Sequence, residues 1–374
     1  MKIAILGTRG IPNYHGGFEQ FAEYLAKDLA DKHYDITVYN SHDHPYKEKI
    51  WNGVHIVHCF DPEKRMGTAG QFIYDLNCIM HARKQEYDII LQLGYTSSTV
   101  WSRLLPSNAI ITTNMDGLEW KRSKYTKQVK KFLKYAELLG VKFSDYLIAD
   151  SLGIKEYIEK RYQKECVYIP YGAFPFKNAD IKVLDDFQLK AFCYNLLIAR
   201  LEPENNIDVI LKGVVQSGST EPFLVIGKYD TKYGGYLKKK YQKHTTIRFP
   251  GAIYDINILN NLRWYSKLYF HGHSVGGTNP SLLEAMASKA LICAHKNLFN
   301  GAILGDDGFY FQSDDEVAHL IASVVKDNYG QFLENNMDKI KNIYRWDLIT
   351  AQYEEHFKTI LDKKRIKNFS METS

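Results

Sequence analysis

Nothing in these 374 residues is apolar for long enough to cross a bilayer. Runs such as Asn77 to Met80 or Leu320 to Val325 end within a few residues, where a spanning helix needs about 20. A secretory leader is not expected either. Met1-Lys2 leads straight into Ile3-Ala4-Ile5-Leu6-Gly7, a short strand pattern with no small-residue cleavage site after a longer apolar stretch. Cysteine is scarce and scattered, at positions 59, 78, 166, 193 and 293, without CxxC or Cys/His ligand spacing. That excludes a disulfide framework and makes reduced thiols in the cytoplasm the expectation. Three catalytic signatures are also missing: the G-x-S-x-G elbow, the P-loop, and the G-x-G-x-x-G dinucleotide fingerprint. His42-x-His44 and His271-x-His273 each pair two imidazoles, but no second cluster of ligands accompanies them, so no metal and no cofactor are expected.

What is present has the balance of a globular protein, 45% hydrophobic and 24% charged. The length suits two α/β domains better than one core. A net charge of +5 is too mild to point to nucleic acid. Strand patterns at 2–6, 35–39, 55–59, 89–93, 109–113, 146–149 and 167–169 alternate with helical patterns at 17–32, 68–84, 98–105, 127–143 and 153–162. Such alternation predicts a parallel sheet covered on both faces. Periodicity fades around 170–190 and then restarts, with strands at 194–198, 223–226, 247–250, 268–271, 291–293 and 309–311. Helices are predicted at 207–215, 281–288 and 315–326, and a last one at 346–363. The domains expected are therefore 1–175 and 190–345, with a terminal helix, 346–366, packing toward the first domain.

In doubly wound sheets ligands bind at the carboxyl ends of the strands, and the richest loops follow strands. Leu6-Gly7-Thr8-Arg9-Gly10 and His15-Gly16-Gly17-Phe18-Glu19 flank the first βα connection, where glycines let a phosphate or sugar approach backbone N–H groups. Asn114-Met115-Asp116-Gly117 follows another strand; Asp116 could bind sugar hydroxyls or simply form a turn. Arg200, after the first strand of the second half, could neutralise a diphosphate or pair with Glu202 or Glu204. Gly276-Gly277-Thr278-Asn279-Pro280 opens a helix whose first N–H groups suit a diphosphate. Glu284 could accept the hydroxyls of a ribose, or it could close a capping box with Ser281. Lysines 121–134, interleaved with Trp120, Phe132 and Leu133, read as a basic amphipathic helix. It could be a solvated face over the core or a patch resting on the inner leaflet of an anionic membrane.

Taken together, these motifs and their order resemble retaining glycosyltransferase family 4, which has the GT-B fold. Those that carry the likeness are Gly16-Gly17, Asp116-Gly117, Asp150-Ser151, Ile169-Pro170-Tyr171-Gly172, Ala199-Arg200-Leu201 and Pro280 to Glu284 with Ala285-Met286-Ala287. The likeness extends over nearly the whole chain, to the closing helix that begins at Trp346-Asp347. Residues 6–12, 16–19 and 114–122 resemble in particular the rhamnosyltransferase-like branch of bacterial surface-polysaccharide assembly. The resemblance implies that Glu284 holds the donor's ribose and Arg200 its diphosphate. It also implies that Gly16 and Gly17 close over phosphate and acceptor, that Gly251 to Ile253 read the base, and that Asp116 stands near the transferred sugar.

Two positions depart from the family pattern. Gly276 replaces the first glutamate of the E-x7-E motif, which shifts its sugar contacts toward Thr278 or Asn279. Asn205 replaces a lysine, whose charge Lys228 could supply. The function expected is transfer of a hexose, rhamnose from dTDP-rhamnose, with retention, onto a lipid-linked glycan. The site would be cytoplasmic, at or near the membrane face. A sugar-nucleotide epimerase on the same fold and a non-catalytic scaffold of an assembly complex are the rivals, and a nicotinamide dehydrogenase ranks last.

Overall fold

The computed structural model describes residues 1–14, 16–122 and 125–372, so His15 of the glycine loop and Ser123-Lys124 of the basic segment lie outside the described residues. Among the described residues no helix is long and apolar enough to cross a membrane. The chain forms two compact units. One comprises residues 1–120, 126–171 and 346–374, the other residues 121–125 and 172–345.

The first unit is built on an eight-stranded sheet: β1 (Lys2–Leu6), β2 (Asp35–Ser41), β3 (Ile50–Trp51), β4 (Val54–Cys59), β5 (Ile89–Leu93), β6 (Ile110–Asn114), β7 (Tyr146–Ala149) and β8 (Val167–Tyr168). They lie in the order β3-β4-β2-β1-β5-β6-β7-β8. All pairs are parallel except β3 with β4. The two-residue β3 is too short to leave a period in the sequence and was not expected. Strands such as Ile89–Leu93 are buried on both faces, so they read as unbroken apolar runs. The helical pattern at 68–84 is the helix Ala69–Ala82, preceded by a short helix, Glu63–Met66, that was not expected, and that at 98–105 is a 3-10 turn, Ser98–Leu104.

The last helix, Trp346–Glu372, belongs to this unit and extends past the expected 363. It buries Tyr353 and Phe357 completely; each such aromatic contributes roughly 1.5–3 kcal/mol. The rings of Tyr353 and Phe21 lie 4.9 Å apart, as do those of Trp346 and Tyr24.

The second unit has six parallel strands: β9 (Asn195–Ile198), β10 (Phe223–Ile226), β11 (Ile247–Gly251), β12 (Leu268–His271), β13 (Ile292–His295) and β14 (Phe309–Phe311). Their order is β11-β10-β9-β12-β13-β14. Its core packs Leu197, Ile210, Phe223, Phe270 and Phe311 together. Helices Lys232–Tyr241, Ile256–Trp264, Leu298–Leu304 and Gly330–Asn342 complete the unit. These are short and carry several glycines, asparagines and lysines, which weakened their period in the sequence.

Each sheet therefore has one place where the winding reverses, between β1 and β5 in the first unit and between β9 and β12 in the second. There the loops leaving adjacent strands part in opposite directions, and a crevice opens at the carboxyl ends of the strands.

Candidate functional site

The β1/β5 crossover is closed by its own side chains. Gly7, at φ +91°, lies so near β5 that a Cβ would meet the Leu93 carbonyl oxygen at 2.2 Å, so only glycine fits there. The loop then folds back on the helix Gly17–Asp31. Glu19, buried in that helix's first turn, accepts the Arg9 N–H at 2.9 Å. The Arg9 guanidinium forks onto Glu63, Nε to Oε2 at 2.8 Å and Nη2 to Oε1 at 2.7 Å. Gly16 is extended, and its N–H donates to Asn13 Oδ1 at 3.1 Å. A carboxylate thus already faces the amino end of this helix, where a phosphate would otherwise gain most.

Beside this loop, Ser97 donates to Asp75 at 2.5 Å. Burial nevertheless pushes the Asp75 carboxyl up to about 7, since its charged form is poorly solvated.

Asp116 follows β6 in the left-handed region, φ 48°, with its N–H donating to Asn114 Oδ1 at 3.0 Å. The turn reading is therefore realised, and the half-buried residue remains at the strand's carboxyl end. Asn114 Nδ2 in turn donates to the Tyr353 hydroxyl at 2.9 Å. A buried carboxylate, Glu137, fixes the rest of this loop. It accepts from Trp120 Nε1 at 2.9 Å and from the hydroxyls of Tyr157 and Tyr162 at 2.7 and 2.6 Å.

Glu137 belongs to the helix Lys127–Phe143, which Thr126 caps. The basic helix therefore starts at 127 rather than 121. Its buried stripe is Leu133, Ala136, Glu137, Gly140 and Val141, while Val129, Phe132, Tyr135 and Leu138 stay exposed among lysines 127, 131, 134 and 142.

The β9/β12 crossover is arranged differently. Asn206 Nδ2 donates to the Gly272 carbonyl at 2.8 Å, and Ser274 donates to the Glu204 carbonyl through its N–H at 3.1 Å and its hydroxyl at 2.7 Å. These bonds tie the Arg200–Asn206 loop to the loop that follows β12. The two run so close that a Cβ on Gly272 would meet the Asn205 carbonyl oxygen at 2.0 Å. Asn205 is buried, and its Nδ2 donates to the Arg200 carbonyl at 2.7 Å. The residue that stands where a lysine was expected therefore shapes the turn that presents Arg200.

Arg200 itself is exposed. The pairing with Glu202 or Glu204 considered from the sequence does not form; Glu204 lies 3.6 Å from Arg122 instead. Lys228, after β10, faces Asp230 at 3.3 Å, and both are well exposed. Gly251 is left-handed at φ +101°, and its carbonyl accepts the Gly227 N–H at 3.0 Å.

After β12, Gly276 takes φ +138° with open space where a side chain would stand. Gly277 and Thr278 are buried, and Asn279 caps the helix Pro280–Ala287 by accepting the Ser281 N–H at 2.9 Å. Ser281 is thus inside the helix and no capping box forms here. No acidic residue occupies the first turn. Glu284 instead meets Arg263 of the helix Ile256–Trp264, Nη2 to Oε2 at 2.6 Å, with Arg263 1% and Glu284 18% exposed. Sequence reasoning missed Arg263, 21 positions before Glu284; the one available signal was a cation within the apolar run Leu259 to Trp264. Glu63, Asn206 and Glu137 gave no signal at all.

Among the described residues no group of three or more His, Cys, Asp or Glu could hold a metal ion. The structure thus gathers Arg200, Gly277, Thr278, Asn279 and Glu284 around one crossover and Gly16, Gly17 and Asp116 around the other, while Lys228 stands one strand away from the first group.

The family model that matches residues 1–174 is described as a domain of unknown function, DUF1972. No curated protein sequence matches. Solved structures do. Sucrose-phosphate synthase from Thermosynechococcus elongatus superposes with a TM-score of 0.79 at 13% identity, over 97% of this chain and 99% of that one. Anabaena HepE, in complex with UDP and glucose, gives 0.77 at 17% identity, over 96% and 100%. α,α-Trehalose 6-phosphate synthase from Burkholderia multivorans gives 0.73 at 10% identity, over 98% of each chain. Likeness over whole chains at such low identity is likeness of fold, and the fold of this chain is that of the GT-B glycosyltransferases.

Proposed function

We propose that this chain is a glycosyltransferase whose donor is a nucleoside diphosphate sugar, with the diphosphate held at the β9/β12 crossover. One observation carries the reading. An exposed arginine, Arg200, with no ion pair among the described residues, is tied by its loop to Gly272 and Ser274, in the segment that leads into the helix Pro280–Ala287, whose first turn holds no acid. Anions gain there from free N–H groups and from the helix dipole together. As the glycosidic bond breaks, charge grows on the leaving diphosphate, and fixed donors stabilise that charge more than they stabilise the bound donor.

In this reading Arg200 and the amides of Gly277 to Asn279 meet the diphosphate. Glu284, steadied by Arg263, offers a carboxylate oxygen to the ribose. Lys228 turns from Asp230 to the phosphate. Thr278 and Asn279 take over contacts from the side chain that Gly276 lacks. Gly16, Gly17 and Asp116 serve the acceptor and the transferred sugar. The neighbours support a nucleotide partner, since HepE is described with UDP and with UDP-glucose. The finer assignment is a rhamnosyl donor, dTDP-rhamnose, with retention of configuration and a lipid-linked glycan acceptor. It rests on the family resemblance. The exposed lysines and apolar residues of Lys127–Phe143 supply a surface for the membrane on which such an acceptor lies.

A panel of nucleotide sugars screened by thermal shift tests the reading, because a bound donor stabilises only the folded state. At least one nucleoside diphosphate sugar should raise Tm in the unaltered protein and fail to do so after Arg200→Ala. An unmoved Tm across the panel, with no hydrolysis or transfer of any donor, would overturn it.

A further inference from the structure

The strand that feeds the proposed diphosphate site ends in two histidines that this reading leaves unused. His271 closes β12 and is 1% exposed, and His273 follows two residues later. Their rings stack at 4.3 Å between centroids, with planes 17° apart. Neither ring nitrogen of His271 has a hydrogen-bond partner, nor does Nδ1 of His273. Leaving such groups unpaired costs on the order of 1–3 kcal/mol each, so an arrangement kept at that cost is a candidate for ligand contact.

The position of the stack is fixed at both ends. His271 stacks on Tyr269 at 6.5 Å, and Tyr269 lies 6.0 Å from the Arg263 guanidinium. The His273 carbonyl accepts from Asn297 and Asn300 at 3.0 and 3.1 Å. His273 lines a small pocket with Gly276, Gly277 and Asn279, the segment that opens the helix Pro280–Ala287.

The charges around the pair are one-sided. Arg200 and Arg122 bear on His273, and Arg263 on His271. The carboxylates nearby are engaged elsewhere, Glu204 facing Arg122 and Glu284 facing Arg263. Burial first, then Arg200 and Arg122, holds the His273 imidazole down to about 3, so it is neutral near pH 7. A polyanion set against Arg200 reverses that field, and an imidazolium becomes the favoured form.

Resting on the diphosphate reading, we propose that His273 is a second anion-contacting residue beside Arg200, and that its imidazole takes a proton from solvent to become an imidazolium when a nucleoside diphosphate binds.

Isothermal titration of the full chain with dTDP and with UDP at pH 7, in two buffers of different ionisation enthalpy, counts the protons taken up. Wild type should take up a measurable fraction of a proton per site. His273→Gln should take up none and bind about tenfold more weakly, as expected for loss of one charge-assisted hydrogen bond. Nitrogen NMR of the imidazoles in wild type gives a direct reading should the variant fold poorly, because the His273 nitrogens should move to imidazolium shifts on saturation. Binding without proton uptake, uptake that persists in His273→Gln, or unmoved His273 resonances would overturn the proposal and leave the diphosphate reading standing. Failure of both nucleotides to bind wild type would instead overturn the diphosphate reading, and this proposal with it.

Discussion

At both crossovers a glycine-bearing loop leads into a helix, and the two loops handle negative charge in opposite ways. Between β1 and β5 the helix Gly17–Asp31 receives Glu19 in its first turn, and Arg9 is forked onto Glu63. The amino end is answered from within the chain. Between β9 and β12 the helix Pro280–Ala287 has no acid in its first turn, its one carboxylate is held by Arg263, and Arg200 stands exposed. The same topology thus yields one self-satisfied site and one that an outside anion would complete. In the proposed reading a neutral or weakly charged acceptor suits the first and a diphosphate the second, and charge pairing rather than loop composition separates them.

The sharpest way to break this contrast is to remove each arginine in turn. Arg200→Ala should lower kcat/KM for the donor by about 10²-fold or more, as loss of a donor to a developing oxyanion does, and should abolish the thermal shift with a nucleoside diphosphate. Arg9→Ala should leave nucleotide affinity unchanged and cost only about 1 kcal/mol, because its pair with Glu63 is roughly one-third exposed. Equal losses of affinity in the two variants would erase the distinction between the crossovers.

Next in size is Glu284→Ala, which strands the buried Arg263 guanidinium. Breaking such a pair costs about 3–5 kcal/mol, with the lower end expected here because Glu284 is partly exposed. Chemical denaturation measures it, and adding Arg263→Met should recover most of the loss without restoring donor turnover. Recovery of turnover in the double variant would remove Glu284 from the donor site.

The Asp75 carboxyl offers a pH test confined to the first crossover. Its affinity for a proton is higher folded, at about 7, than at the ordinary value of 3.8. Folding therefore takes up a proton between those values, and stability falls as pH rises through that window, by at most ~1.4 kcal/mol per unit. Asp75→Asn should flatten the fall in Tm between pH 4 and pH 7; an unchanged slope would mean that Asp75 ionises normally.

The smallest effect is expected at the surface helix. Lys127→Glu with Lys131→Glu should reduce co-sedimentation with anionic vesicles by roughly 2 kcal/mol, at about 1 kcal/mol per basic residue, while hydrolysis of soluble donor stays the same. Vesicle binding unaffected by the double change would mean that this helix is not the surface that meets the membrane.

The contrast between the crossovers was only half legible in the sequence. Gly7, Asp116, Arg200 and the Pro280–Ala287 helix announce themselves, because positive φ, close approach and helix starts restrict residue choice locally. Whether an arginine is free is not a local property. Arg9 and Arg200 both follow a first strand, and only the tertiary positions of Glu63 and of Glu204 separate them. The capping box read at Ser281 and Glu284 failed for the same reason, since Asn279 and Arg263 outcompete it from outside the four-residue window. His271-x-His273 was visible as a pair, but its stacking and its orphaned nitrogens depend on how β12 meets the loop after β9.

The return of Trp346–Glu372 to the first unit sets an order on synthesis. Tyr353, which supports the Asp116 loop through Asn114, and His356, which meets Thr112 on β6 at 3.0 Å, come after the whole of residues 172–345 in the chain. The first unit is therefore completed only after residues 172–345 have been made. Until then Phe21, Thr112 and Asn114 lack the partners that this helix brings to them, whereas the core of residues 172–345 is drawn from its own strands and helices.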